Sequence, residues 1–167
     1  MKRLRSEEGF GLLELLISIT MLNVGILALV AAFNSGALAL QRASQVSTAS
    51  TVAERQMELY RGLRYSSITL DSASKSTADA NPLYAGDPAY SATQVITTCT
   101  GNPIADSCVA MRSTKGPDGV DYRVDTYIVS ETPPNGRPLK RVTVVVRRAS
   151  DNLTMARLIS LFDESTG

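Results

Sequence analysis

The chain has 167 residues, 44% of them apolar, which is enough for one compact domain and an additional segment. Its 17 Lys and Arg residues nearly balance its 16 Asp and Glu residues, and the net charge of +1 provides no electrostatic reason to expect nucleic acid as a partner. The absence of histidine, with only two cysteines, excludes Ser-His-Asp triads, Cys-His pairs and most zinc sites. We therefore expect no enzyme activity, no catalytic residue, no cofactor and no metal site.

A long apolar segment near the N-terminus is free of charge from Leu15 to Gln41. A helix over residues 15–33 alone approaches the roughly 20 residues that cross a ~30 Å hydrocarbon core. Three basic residues precede the segment and one follows it closely, so the positive-inside rule places the N-terminus in the cytoplasm and the chain after residue 42 outside it. The alternative, a buried helix of a soluble protein, seldom lacks charges over such a length.

A single carboxylate, Glu14, stands at the start of this segment. An ionised Glu costs something like 2.5–3.5 kcal/mol near the centre of a bilayer and less near its edge, so it normally indicates a partner. In a secretory signal a small-residue cleavage site follows the apolar run, whereas here the small residue, Gly9, precedes it. Cleavage after Gly9 would create an α-amine on Phe10, one helical turn from Glu14. The carboxylate of one copy could then neutralise the amine of a neighbour in one axial register.

The stretch "EEGFGLLELLISI" resembles the prepilin signal of type IV pilins and type II secretion pseudopilins, in which Gly is followed by Phe, a few apolar residues and Glu. The resemblance implies that prepilin peptidase cleaves between Gly9 and Phe10, that Phe10 is N-methylated, and that Glu14 sets the register between subunits. It also implies two further partners, namely other pilin or pseudopilin subunits, contacted through the N-terminal helix, and the inner-membrane assembly platform. Two positions depart from the family. Gly11 stands where Thr or Ser is usual, and Ala31 stands near the position at which major pilins commonly have a Pro that kinks the helix.

The segments "AERQMELYRGLR" and "KRVTVVVRR" look most like the PilV group of minor pilins. The resemblance therefore implies a minor type IV pilin that is assembled into, or primes, a type IV pilus. Such a subunit is a single-pass inner-membrane protein before assembly, with its C-terminal domain outside the cytoplasm, and afterwards lies in a pilus or a periplasmic pseudopilus. One alternative is a minor pseudopilin of a type II secretion or DNA-uptake system. Another is a surface binding protein that is anchored but never assembled, in which Glu14 snorkels to the membrane interface.

Periodicity predicts the organisation of the rest of the chain. An apolar stripe at spacings of three and four continues the helix beyond the membrane, with Val46, Ala49, Ala53, Met57, Tyr60 and Leu63. Three C-terminal runs alternate apolar and polar residues, and turn residues at 132–138 and 150–152 separate them. We divide the chain into a leader (1–9), an apolar transmembrane helix (10–41), an amphipathic helix half (42–65), a variable loop region (66–119) and an antiparallel β-meander (120–167).

The predicted fold class is α+β and pilin-like, with the long N-terminal helix packed on an antiparallel sheet of three to four strands. In the loop region we predict a short strand over residues 95–98 and docking of the loop through Tyr84 and Tyr90. Cys99 and Cys108 are predicted to form a disulfide, because the compartment is oxidising and turn residues lie between them. A loop this short contributes about 2–3 kcal/mol.

Two sets of charged residues are candidate binding sites. Five aspartates could bind calcium, but their spacing fits no calcium loop: Asp79, Asp87, Asp106, Asp118 and Asp121. Five basic residues could form a DNA-binding patch, but exposed strand cations that prevent edge pairing explain them more simply: Arg137, Lys140, Arg141, Arg147 and Arg148. Glu54, Glu58 and Arg61 could form salt bridges on the helix surface, with each other or with adjacent subunits, each worth about a few tenths of a kcal/mol if exposed.

Overall fold

A computed structural model describes residues 11–134 and 136–164. The chain divides after Arg42 into two units. Helix α1 (Leu12–Arg61) is the regular structure described in the first unit, and residues 43–61 of the same helix belong to the second. The second unit continues with a 3-10 turn (Tyr65–Ser67), β1 (Leu70–Asp71), α2 (Ser72–Asp79), α3 (Pro82–Ala85), β2 (Ile96–Thr97), a 3-10 turn (Asp106–Cys108), β3 (Met111–Lys115), β4 (Asp121–Glu131), β5 (Leu139–Arg148) and β6 (Thr154–Asp163).

The main sheet is antiparallel, with the strand order β3-β4-β5-β6. Strands β4, β5 and β6 form the meander that alternation predicts, and residues 132–138 connect the first two of them. The connection between β5 and β6 turns at Asn152, whose φ of 58° lies in the left-handed region that Asn tolerates. A long apolar N-terminal helix and a four-stranded antiparallel sheet confirm the α+β class.

The apolar stripe of α1 packs on this sheet, as the spacing predicts. The Tyr122 hydroxyl of β4 donates to the Gln45 carbonyl oxygen of α1 (3.2 Å), so the sheet face that carries Tyr122 covers the helix. Val46 is 45% exposed and does not belong to the stripe, whereas Gln45 and Gln56 are buried in it. The other buried residues of the stripe are the predicted Ala49, Ala53, Met57 and Tyr60.

The prediction of an irregular loop region over residues 66–119 is partly wrong. Helices α2 and α3, β1 and β2 lie within it, and β3 adds the fourth strand of the sheet. The sequence "MRSTK" of β3 shows no clear apolar alternation, and its residues are only partly buried, so a local pattern does not reveal it. The predicted strand at residues 95–98 is present as Ile96–Thr97, paired in parallel with β1.

Both faces of β5 are buried. Val142, Val144 and Val146 point towards the helix side, and on the opposite face Thr143, Val145 and Arg147 are also buried. Tyr84, which is fully buried, stacks on Tyr127 of β4 with ring centroids 4.4 Å apart, and its hydroxyl donates to the Thr126 carbonyl oxygen (2.8 Å). The segment after α2 therefore docks on the sheet through Tyr84, as predicted, and covers the face opposite α1.

Candidate functional site

The first unit presents an apolar surface that no part of the described chain covers. Every residue from 11 to 44 is exposed. The large apolar side chains point in all directions around the helix; Leu12, Leu27 and Phe33 are 85%, 67% and 76% exposed. Within the described residues, one helix, α1, is long and apolar enough to cross a membrane. A large exposed apolar surface is typical of a contact with a membrane or with another protein.

The hydroxyl groups of this segment are satisfied by the helix itself. Ser18 Oγ donates to the Glu14 carbonyl oxygen (2.8 Å), Thr20 Oγ1 to that of Ile17 (2.8 Å), and Ser35 Oγ to that of Ala32 (3.0 Å). Backbone bonding of this kind allows Ser and Thr to lie in hydrocarbon without a partner. These hydroxyls therefore do not by themselves indicate an assembly contact.

The hydroxyls have partners in their own helix, whereas the Glu14 carboxylate is contacted by no cation among the described residues. Its backbone N–H donates to the Gly11 carbonyl oxygen (2.9 Å), and the residue lies in the first turn of α1. The positive end of the helix dipole reduces the cost of a carboxylate there without pairing it. Gly9 and Phe10, the predicted processing residues, lie outside the described residues.

The predicted disulfide joins Cys99 to Cys108, and its loop is attached to α1. The Gln56 side-chain amide donates to the Asp106 carbonyl oxygen (3.1 Å), and the Tyr60 hydroxyl donates to that of Ser107 (2.8 Å). Burial raises the pKa of Tyr60 to about 12, so this hydroxyl stays protonated and able to donate at neutral pH. The crosslink thus holds the loop against the helix.

A buried ionic cluster lies on the sheet face opposite α1, and sequence analysis missed it. Asp125 is fully buried and accepts hydrogen bonds from Arg123 (3.0 and 3.1 Å) and Arg147 (3.0 Å). Asp87, whose side chain is 1% exposed, binds Arg147 and accepts from Arg157 (2.8 and 3.0 Å). The cluster joins the segment after α3 to β4, β5 and β6.

Electrostatics keeps Asp87 ionised in this cluster. Burial acts to raise its pKa, but the hydrogen bond from Arg157, that from the Ala89 N–H, and the charges of Arg157 and Arg147 more than offset burial. The pKa of Asp87 therefore lies below its ordinary value. The carboxylate is a charged clamp between chain segments.

The interpretation of the five basic residues as exposed strand cations is wrong for Lys140 and Arg147. Both are buried: Arg147 lies in the ionic cluster, and Lys140 Nζ donates to the carbonyl oxygens of Tyr65 (2.7 Å) and Ile68 (2.9 Å). Burial lowers the pKa of Lys140. The other two strand residues form ion pairs, Arg141 with Glu131 (2.7 Å) and Arg148 with Asp151 (2.5 Å), and only Arg137 of the five is exposed without such a pair in the described chain.

The five aspartates lie in different places. Asp79 pairs with Lys75 (2.5 Å), Asp106 with Arg112 (3.4 Å), and Asp118 accepts from the Tyr122 hydroxyl (2.7 Å). The described ranges contain no group of three His, Cys, Asp or Glu residues that could hold a metal ion. Of the three helix residues Glu54, Glu58 and Arg61, Glu58 and Arg61 form an ion pair.

No family model, curated protein or solved structure matches this chain. The functional argument therefore depends on its own residues: the uncovered apolar helix and the Glu14 carboxylate at its start.

Proposed function

We propose that this chain is a minor type IV pilin of the PilV kind, a structural subunit that prepilin peptidase cleaves between Gly9 and Phe10. The observation that carries the proposal is Glu14, a carboxylate without a cation in the described chain, at the start of a helix surface that is fully exposed and free of charge as far as Gln41. Such a group in an apolar environment calls for a positive partner from another molecule.

Processing supplies that positive partner. Cleavage before Phe10 exposes an α-amine in a region that otherwise lacks a cation, and the amine of one subunit neutralises the Glu14 carboxylate of the next. An axial shift of one helical turn, about 5.4 Å, would leave both charges unpaired in an apolar environment, so the pairing selects one register. The apolar surface of α1 first lies in the inner membrane and then packs against other subunits, delivered by the assembly platform.

The second unit fits a domain that lies outside the cytoplasm. A disulfide is stable in an oxidising compartment, and here it joins Cys99 to Cys108. The part of the molecule that remains exposed on a filament is thus a sheet with both faces partly covered and a crosslinked loop.

One observation favours an unassembled membrane anchor instead. Glu14 lies in the first turn of α1, where the helix dipole stabilises a carboxylate without any partner. A minor pseudopilin of a secretion or DNA-uptake system remains the alternative with the same architecture, and the genes encoded beside this one decide between the two systems.

The N-terminus of the mature protein tests the proposal directly. Intact-mass analysis of protein from its natural membrane should show a chain that begins at Phe10 and carries one methyl group on its amine. A mature chain that keeps Met1 would support the anchor and refute the pilin.

Substitution of Glu14 tests the registering role. Glu14→Ala should leave membrane insertion intact, because it removes a charge from the lipid phase, and should reduce incorporation into filaments at least tenfold. Glu54→Ala is the matched control, since Glu54 is an exposed carboxylate on the same helix beyond the charge-free segment. Normal incorporation of the Glu14 variant would exclude this role.

A further inference from the structure

The charge-free segment of α1 has three carboxamide side chains, and all of them lie on one side of the helix. At about 100° per residue, Asn23, Asn34 and Gln41 lie about 180°, 200° and 180° around the helix from Glu14. The spacings of eleven and seven residues correspond to about three and two turns. The carboxamides therefore form a line opposite the carboxylate.

These carboxamides also differ from the hydroxyls of the same segment in their hydrogen bonding. The hydroxyls of Ser18, Thr20 and Ser35 each donate to a carbonyl oxygen one turn earlier. Within residues 11–134 and 136–164, the amide groups of Asn23, Asn34 and Gln41 contact no partner, and all three side chains are exposed. A carboxamide in hydrocarbon is costly unless a neighbouring helix supplies a donor or an acceptor.

The residues between the carboxamides complete an interface pattern. Steps of four and three residues connect Leu16, Thr20, Asn23, Leu27, Val30 and Asn34, and the same steps lead on to Gln41. Repetition every 3.5 residues keeps one stripe of a helix against a parallel partner along its whole length. We name these positions the carboxamide seam.

We propose that the carboxamide seam is the contact face of a parallel, in-register dimer of this chain in the membrane. This inference depends on the membrane insertion assumed in the proposed function. Copies inserted in one bilayer by the same rule are parallel, so Asn23 of one copy meets Asn23 of the other at the same depth. A carboxamide both donates and accepts, which makes it complementary to itself. Glu14, on the opposite side, stays available for a different neighbour.

The helix then makes two separate contacts with different chemistry, one through the carboxamide seam and one through Glu14. Amide pairs across the carboxamide seam hold two copies without an axial shift, and a polar residue at one core position of a helix pair is known to specify register and the number of strands. The carboxylate side binds the amine of another subunit after processing. The helix therefore associates before cleavage through one side and after cleavage through the other.

Cysteine crosslinking in isolated membranes that contain the full chain tests the dimer. Leu27→Cys places a thiol in the carboxamide seam, and Ala32→Cys, on the Glu14 side, is the matched control. Oxidation with copper phenanthroline should crosslink the Leu27 variant into dimers at least fivefold more than the Ala32 variant. The native cysteines are bonded to each other and leave the background low.

Substitutions in the Leu27→Cys chain separate the amides from general apolar contact. Asn23→Leu combined with Asn34→Leu should lower the crosslinked fraction at least fivefold, whereas Met21→Leu on the opposite side should leave it unchanged. Equal crosslinking with and without the asparagines would overturn the proposal. A crosslinked product whose mass differs from two copies of the chain would assign the seam to another membrane helix and would also overturn it.

Glu14→Ala in the Leu27→Cys chain distinguishes this inference from the proposed function, because it should reduce incorporation into filaments and leave crosslinking through the carboxamide seam unchanged. If the pilin proposal fails and the chain keeps its leader, crosslinking through the seam should persist, because it needs insertion but no cleavage. If filaments form normally and the Leu27 variant does not crosslink before processing, the dimer alone is refuted.

Discussion

Replacing Asp87 by Asn tests whether the ionic cluster holds the segment after α3 on the sheet. Asn keeps the size of the side chain and the oxygen that accepts from the Ala89 N–H (2.9 Å), but it removes the charge and puts an N–H donor where an oxygen accepts from Arg147 and Arg157. The side chain is 1% exposed, so water cannot replace the lost interaction. The variant therefore removes the ionic hydrogen bonds of Asp87 without changing the size of the side chain.

The expected cost is about 3 kcal/mol in the free energy of unfolding. Removing one partner of a buried ion pair costs about 3–5 kcal/mol, because it leaves the other charge uncompensated. The low end applies here, since Arg147 keeps its bond to Asp125 (3.0 Å) and the Arg157 side chain is 33% exposed. For a chain of this size, 3 kcal/mol corresponds to a fall of about 6–12 °C in Tm.

Urea and thermal unfolding of the full chain in detergent, followed by near-ultraviolet circular dichroism of the buried tyrosines, measures this change. Glu58→Gln is the control, because Glu58 and Arg61 form an exposed pair, 62% and 55% accessible, of the kind that contributes little. Asp87→Asn combined with Arg157→Gln should recover part of the loss, since it removes an unpaired cation as well. If Asp87→Asn unfolds within 1 kcal/mol of the parent chain, the cluster does not hold the segment.

Acid titration gives a second measure of the same group. The pKa of Asp87 is lower in the folded than in the unfolded chain, where it is about 3.9, so its contribution is complete above that value and is lost as the pH falls through the folded pKa. The parent chain should therefore lose its stability advantage over Asp87→Asn below about pH 4. An advantage that is unchanged in acid would show that the charge of Asp87 is not the cause.

Three further predictions concern the packing of α1 and its crosslinked loop. Met57→Ala should lower the free energy of unfolding in urea by about 2–5 kcal/mol, because Met57 is 1% exposed. Leu59→Ala is the control and should lower it much less, because Leu59 is 39% exposed. Similar losses for the two variants would contradict the observed packing. Cys108→Ser should lower the free energy of unfolding by about 2–3 kcal/mol in the chain-entropy model. A protease should then cut the loop of residues 99–108 before the rest of the domain. Cleavage unchanged from the parent chain would show that other contacts hold the loop. Tyr60→Phe should destabilise the chain by about 1 kcal/mol, since the hydroxyl donates to the Ser107 carbonyl oxygen (2.8 Å), and no change would show that this bond is dispensable.

Local patterns in the sequence are sufficient for α1, for the three strands of the meander, and for the position of Glu14 at the start of a charge-free helix. The charge-free segment that follows Glu14 is predicted from the rule that charged residues are rare in hydrocarbon. The three strands of the meander are predicted from their alternation of apolar and polar residues and from the turns between them. The segment that follows Glu14 contains no cation, so the sequence alone also indicates that the carboxylate lacks a local partner. The pairing of Cys99 with Cys108 was predicted from the turn residues between them and from the oxidising compartment that the positive-inside rule implies.

Partners that are distant along the chain could not be predicted in this way. From the sequence alone Asp87 has no predicted partner, and Arg147, which is 60 residues away, is interpreted as an exposed strand cation, yet the two bind each other. Gln56 is not among the residues of the predicted apolar stripe, yet it is buried and bonds the loop of the disulfide at Asp106.

The sequence by itself determined which segments are apolar, where the chain turns, and where a lone carboxylate meets a charge-free helix, because each of these depends on residues that are neighbours along the chain. Only the tertiary structure decided which polar side chains are buried, that β3 joins the sheet, and that the aspartates bind arginines. A buried charge is stable only when its partner is in place, and that partner is brought there by the folding of the whole domain.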